Sequence, residues 1–308
     1  MSGMPQRVRI TEVGPRDGFQ SIKPWIDTEL KISCVKRLFG AGADMVEACS
    51  FVSPKAIPQM KDAGDIAASL AGTPELDRAI ALVPNAKGAD LAAAAGMKNI
   101  AVVISASADH NMSNVRKTPA QSLEELKNIR AAHPQLHIKL DVATAFGCPF
   151  KGDVSLEEIR FVLEPALEMG IYDICLCDTI GVASPTLVRT VLGKLMAGYA
   201  DKPVDWSVHF HNTRGLAAVN TMVALELGVD RFETAFAGLG GCPFAPGASG
   251  NMATEDLIYL LNELGIHHGM ELDRVLAASE DFVAETGCCR DSKIDRVTKN
   301  KVFKQEDK

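Results

Sequence analysis

"SLEEIRFVLEPALEMGIYDICLCD", Ser155 to Asp178, holds one complete unit of the fold. Up to Gly170 the apolar residues keep helical spacing, and the stretch closes on a glycine as helix C-termini often do. The run from Tyr172 to Cys177 is short, apolar and bounded by turn residues, which reads as a strand. The same alternation extends outward over almost the whole chain. Further strand candidates are Val8 to Val13, Met45 to Ser50, Ala79 to Val83, Ile100 to Ser105, His137 to Val142, Trp206 to Phe210 and Phe232 to Phe236. Helical patterns such as "TELKISCVKRLFGAG", "SLEELKNIRAAHP" and "AAVNTMVALELGV" lie between them. Eight strands alternating with helices in 308 residues fit an α/β fold, a closed (β/α)8 barrel, better than an open doubly wound sheet. The open sheet remains the alternative, but "GLGGCP" puts Pro243 where a dinucleotide fingerprint needs its third glycine. The expected organisation is a single catalytic domain over 1–308, with 275–308 as a short C-terminal helical extension.

Composition narrows the function. A formal net charge of −7 with scattered Lys and Arg leaves no basic stripe, so nucleic acid is not an expected partner. No apolar run reaches the roughly 18 to 20 residues that span a bilayer, and the polar start Met1 to Arg9 lacks a signal peptide's apolar segment. A cytoplasmic protein with no membrane partner is the expectation, and a homo-oligomer is compatible with the sequence. The eight cysteines sit mostly inside apolar stretches, as reduced thiols do. Cys175 and Cys177 share a strand face, yet no second pair has zinc-site spacing. The vicinal pair Cys288 and Cys289 reads as ordinary thiols, with a redox role left open.

In such a barrel chemistry sits at the C-terminal ends of the strands. Arg16, Asp17 and Gln20 follow the first strand in "TEVGPRDGFQ"; Glu47 lies on the second, which leads into Ser50. Asp178 ends the sixth strand, and "HFHN", His209 to Asn212, ends the seventh. His209 and His211 are two apart on a strand, so both imidazoles point the same way, about 6 to 7 Å apart. With Asp17 across the mouth they suit a divalent first-row ion, Mg2+ if oxygen ligands complete the shell, or a non-haem iron. A glycine-rich loop, Ala237 to Asp256, carries Cys242 and Asn251 after the eighth strand.

"EVGPRDGFQ", "SFVSPK", "GCPF", "DTIGV", "HFHN" and "GLGGCPFAPGASGNMATEDL" together resemble the 3-hydroxy-3-methylglutaryl-CoA lyases of the DRE-TIM metallolyase superfamily. The likeness runs from about Val8 to Leu272. It implies a metal-dependent TIM barrel with Asp17, His209, His211 and Asn251 as ligands of a divalent ion, Mg2+ or Mn2+. It also implies Arg16 beside the substrate carbonyl, Glu47 and Asp178 near the reacting centre, and Cys242 as catalytic thiol. The implied reaction is a retro-Claisen cleavage of a small-molecule acyl-CoA, with coenzyme A as part of the substrate. The 3-hydroxyl loses a proton, the C2–C3 bond breaks and a thioester enolate is protonated. His209, or Asp178 through water, is the expected base and Cys242 the expected acid.

The chain departs from the lyase pattern around the substrate. Phe19 stands where Leu is usual, Asn212 where Asp follows the histidines, and Arg214 where Tyr is common. Lys139 and Asp141 replace an Arg and a Tyr on the fifth strand, and Cys175 replaces a Ser on the sixth. All are expected near the mouth, with Gln20, Ser50, Asp141, Cys175 and Arg214 facing substrate. Acetyl-CoA and a keto acid such as acetoacetate are the expected products. Citramalyl-CoA or a longer 3-alkyl homologue is an alternative substrate, and an acetyl-CoA/2-keto acid condensing enzyme an alternative activity. That sibling's C-terminal regulatory domain is not expected in a chain ending at Lys308. A catalytically silent metal-binding scaffold would need neither Arg16 nor Cys242.

Overall fold

The structure is a computed structural model describing residues 3–241, 250–288 and 290–299. The Ser155–Asp178 unit forms as its sequence dictates. Ser155 and Glu158 close a reciprocal capping box over the start of α6 (Leu156–Glu168), and Ile159, Val162, Leu163, Ala166 and Leu167 form its buried face. Gly170, at φ +73°, stops the helix in a conformation that Cβ-bearing residues avoid, and β6 (Asp173–Asp178) follows.

Eight such strands close on one another. In addition to β6 they are β1 (Arg9–Glu12), β2 (Met45–Ser50), β3 (Ala79–Leu82), β4 (Asn99–Ser105), β5 (His137–Ala143), β7 (Asp205–Phe210) and β8 (Arg231–Thr234). They pair in parallel and in sequence order, and β8 pairs back to β1 with Ile10 opposite Phe232. This is a TIM barrel, and the open sheet is set aside. Observed strand limits differ from the expected ones by no more than about two residues. Frayed strand ends carry turn-like residues, so hydrophobic pattern alone does not locate the last ladder bond.

Two features differ from expectation. Helix α10 (Leu272–Thr286) begins before the expected start of the extension and is built into the core through Val275, Ala278 and Phe282. Phe19 is the second: it is buried away from the mouth, stacked on Phe282 at 4.7 Å and edge-on to Phe236 at 6.1 Å. The amphipathic face of α10 needs an apolar partner, and Phe19 supplies it from behind the turn that carries Arg16. No helix among the described residues is long and apolar enough to cross a membrane.

Candidate active site

A cavity of about 330 Å3 opens at the C-terminal ends of the strands. Its position follows from the turn after β1: Gly14–Gly18 winds as one wide helical turn, with the Arg16 and Asp17 amides both donating to the Val13 carbonyl. A Cβ at Gly14 would stand 2.6 Å from Phe236, so glycine is required for that approach. The turn aims Arg16 and Asp17 into the barrel.

Arg16 is held at both ends of its fork. One guanidinium nitrogen donates to Asp17 Oδ1 at 2.6 Å and the other to Glu47 Oε2 at 2.7 Å. Burial works against its charge, but Glu47 and Asp17 overcome this and hold it protonated. Glu47 is fully buried and does not line the cavity; it acts through Arg16. Gln20 lines the cavity and donates to Asp17 Oδ1 at 3.0 Å, and Ser50 lines the same wall.

His209 and His211 lie with ring centroids 5.2 Å apart, and a donor atom from each and one from Asp17 all lie within 4.8 Å of one another. Asn251 joins them because the chain after the glycine-rich loop returns along β7. Asn212 donates to the Gly250 carbonyl and Met252 to the Phe210 carbonyl, so Asn251 faces His211. The Asn251 amide donates to Asp17 Oδ2 at 2.8 Å and Leu239 O at 2.9 Å. Its Oδ1 and His211 Nδ1 are buried with no hydrogen-bond partner. Unpartnered buried acceptors are costly, and two beside a carboxylate and an imidazole fit a bound cation. The donor set of two imidazoles, a carboxylate and an amide oxygen suits a divalent ion.

Electrostatics prepare these groups. Burial raises Asp17, but Arg16, His209, His211 and the Asn251 amide together hold it below the usual carboxylate range. Burial and its neighbour His209 push His211 down to about 4, so it is neutral at pH 7. Burial also opposes charge on His209, yet its Nδ1 lies 3.0 Å from the Glu233 carboxylate, which lifts it above the ordinary imidazole value. With Nδ1 occupied by Glu233, Nε2 is the atom left for a ligand, a familiar second layer around metal-binding histidines.

Glu233 escaped the sequence reading, although an acid inside the apolar run "RFETAF" was a signal, and β8 sets it opposite His209. It is also ion-paired to Lys139, which binds Asp141 Oδ1 at 2.7 Å. Burial raises both acids, but the pull of Lys139 and His209 holds Glu233 far below its usual range. Asp141 is left pushed up to about 7. Asp141 and Glu233 therefore form an acidic cavity floor with its lysine counter-ion beneath. Cys177, His110 and Asn114 also line the cavity and were not anticipated.

Besides Glu47 and Asn251, three described residues of the expected site lie outside the cavity lining. Cys175 sits one strand layer below the cavity, where Cys177 takes its place, because residues two apart share a face but differ in depth. With Asp141 these two thiols form a second close cluster, but Lys139 already supplies its cation. Arg214 turns away and donates to the carbonyls of Ile180 and Gly181 at 2.9 and 3.0 Å. Asp178 does not line the cavity; its carboxylate accepts the Val182 and Ala183 amides, which fixes the loop after β6. Cys242 lies outside the described residues, as does Cys289.

A parallel eight-stranded barrel with a buried arginine, two imidazoles and acids converging at its C-terminal mouth defines a TIM-barrel enzyme. The HMGL-like family model matches residues 7–282. The hydroxymethylglutaryl-CoA lyase YngG of Bacillus subtilis is 41% identical over 278 residues, covering 90% of this chain and 92% of that protein. A B. subtilis HMG-CoA lyase crystal structure superposes with a TM-score of 0.92 at 38% identity, over 96% of this chain and 99% of the other. An Acinetobacter baumannii HMG-CoA lyase in complex with coenzyme A and 3-methylmalate gives 0.91 at 36% identity, over the whole of both chains. The chain belongs to the HMGL-like family of carbon–carbon lyases.

Proposed function

We propose that the chain is a divalent-metal-dependent lyase that cleaves the C2–C3 bond of an acyl-CoA of the 3-hydroxy-3-methylglutaryl-CoA type, giving acetyl-CoA and a keto acid, in the cytoplasm. The observation that carries this reading is the gathering of Asp17, His209 and His211 donor atoms within 4.8 Å of one another beside Arg16, with Asn251 hydrogen-bonded to Asp17 and both Asn251 Oδ1 and His211 Nδ1 buried without partners. The A. baumannii relative, which holds coenzyme A and a 2-hydroxy acid, supports an acyl-CoA substrate.

Asp17, His209, His211 and Asn251 would hold Mg2+ or Mn2+, which acidifies and orients a bound hydroxyl. Arg16 is a cation that cannot swing away, since Asp17 and Glu47 pin both of its terminal nitrogens. Such a fixed charge favours the enolate oxygen over the neutral thioester carbonyl and costs no reorganisation during reaction. His209 has one free lone pair, so its ligand and base roles exclude each other at any moment; Glu233 on Nδ1 strengthens that lone pair for either. Asp178 is committed to two backbone amides and holds the loop rather than moving the proton. The apolar wall of Val52, Leu82, Val83, Val103 and Val115 keeps water from the carbanion.

The test is incubation of the Mg2+-loaded protein with 3-hydroxyacyl-CoA thioesters, with both products quantified. Equimolar acetyl-CoA and keto acid are expected. A bound but uncleaved thioester across the whole panel would leave a binding protein, not a lyase.

A further inference from the structure

A second group of donors lies beside the Asp17 set and is built from softer atoms. Cys175 and Cys177 point to the same side of β6, and Asp141 stands next to Cys175 across the β5–β6 ladder. One donor atom from each lies within 4.8 Å of the others, and all three residues are buried. The Cys177 thiol donates to the Cys175 sulfur at 3.9 Å. A tetrahedral ion with bonds of about 2.3 Å to sulfur sets two thiolates about 3.8 Å apart, so this pair needs almost no adjustment to share one. Lys139 engages Asp141 Oδ1, which leaves Oδ2 for an ion. Cys177 and Asp141 line the cavity, so an ion reaches the cluster from the mouth and a water from the cavity completes its shell.

Donor chemistry separates the two sets. Carboxylate and amide oxygens beside imidazoles accept Mg2+ or Mn2+, whereas paired thiolates select soft ions. Lys139 pairs with the acids of this region, Asp141 and Glu233, and stays with them when an ion binds. Burial raises the Cys175 thiol well above its ordinary value. The bond to Cys175 lowers Cys177, but burial outweighs it, so both thiols are protonated at pH 7. Asp141, pushed up to about 7 by burial, is a carboxylate at pH 8. A divalent ion that displaces the two thiol protons therefore leaves the net charge of the buried region unchanged. Each S–H bond gives way to a sulfur–metal bond, two protons pass to solvent, and nothing is oxidised or reduced.

We propose that Cys175, Cys177 and Asp141 form a second cation site, selective for a thiophilic divalent ion of the Zn2+ and Cd2+ type, whose occupation closes the cavity floor to substrate. The soft ion and the ion at Asp17 are then held at once, and added Mg2+ does not reverse the inhibition. Binding at this site is independent of the lyase reading; only the inhibition rests on it.

The experiment titrates Cd2+ into the reduced, Mn2+-loaded protein at pH 8. Sulfur-to-cadmium charge-transfer absorption should grow in while the bound Mn2+ is retained. Cys175→Ser, which installs the residue usual in the lyases, should weaken that binding about 100-fold or more, since even an outer-shell partner of a metal is worth about 10- to 100-fold. The double variant Cys288→Ser, Cys289→Ser should keep it. At saturating Mg2+, half-inhibition of thioester cleavage should need about 100-fold more Cd2+ in Cys175→Ser than in the wild type, following the loss of a ligand. Release of Mn2+ by Cd2+, absorption that survives Cys175→Ser, or absorption lost in the double variant overturns the proposal. Anomalous diffraction from a Cd2+-soaked wild-type crystal decides the matter even if Cys175→Ser fails to fold. A peak between the two sulfurs is expected, and a peak only among Asp17 and the histidines refutes the site. These binding readouts need no turnover, so an absence of cleavage removes the lyase reading while the second site is judged on its own.

Discussion

Replacing Arg16 by lysine keeps the charge and removes the fork. In the structure one planar group satisfies two carboxylates, Asp17 at 2.6 Å and the fully buried Glu47 at 2.7 Å. A lysine ammonium reaches one of them. The other loses a charge-assisted hydrogen bond worth about 1.5–3 kcal/mol, and Glu47 has no water to turn to. Stability should fall by about that amount, read as a lower urea midpoint with an unchanged slope. Catalysis should suffer independently, because the remaining cation is no longer fixed where enolate charge develops. Loss of one preorganised donor costs on the order of a hundredfold, about 2.7 kcal/mol. The assay is acetyl-CoA release under saturating substrate, so that kcat is separated from KM. A variant that loses stability but keeps near-normal kcat would show that Arg16 only braces Asp17 and Glu47.

Other perturbations address the supporting residues. At Gly240, φ +127°, an alanine Cβ would stand 2.6 Å from Asn251 Nδ2; Gly240→Ala should weaken Mn2+ binding by about tenfold or more in equilibrium dialysis, and unaltered binding would remove Asn251 from the ligand set. Glu233→Gln takes the carboxylate from both His209 and Lys139, so metal affinity should drop about 10- to 100-fold while the barrel stays folded by circular dichroism. The metal requires neutral His209, whose apo value is raised by Glu233, so a proton must leave on binding wherever the pH lies below that value. Affinity should therefore fall about tenfold per pH unit on acidification below that raised value. His211, at about 4, should add to the slope only near that pH; pH-independent affinity from 5 to 8 would contradict this assignment.

The barrel was legible because each βα unit repeats one local signal, a helical apolar stripe ended by glycine and then a short apolar run, and eight repeats leave few other closures. The ligand candidates were legible for a related reason: His209, His211 and Asp17 fall at strand ends, and strand ends meet. Depth was not legible. Cys175 and Cys177 are equivalent by alternation, and only the barrel's height decides which one lines the cavity. Partnership across strands was hidden as well. Arg214 found two carbonyls of the loop after β6, and Lys139 found Glu233 on β8, contacts set by strand register rather than by any spacing in the chain. Phe19 was misplaced because its neighbours Arg16 and Asp17 face the mouth, whereas the helical turn rotates it toward α10.

Metal-dependent cleavage is tested most directly by titrating Mg2+ into the exhaustively chelated protein with a 3-hydroxyacyl-CoA present, while bound ion, acetyl-CoA and keto acid are followed together. The expected result is no product from the chelated protein, then equimolar products that rise with occupancy of one site per chain, and a site lost in His211→Ala. Full turnover in the chelated sample, or restoration of His211→Ala to wild-type rate at the same Mg2+ concentration, would contradict it.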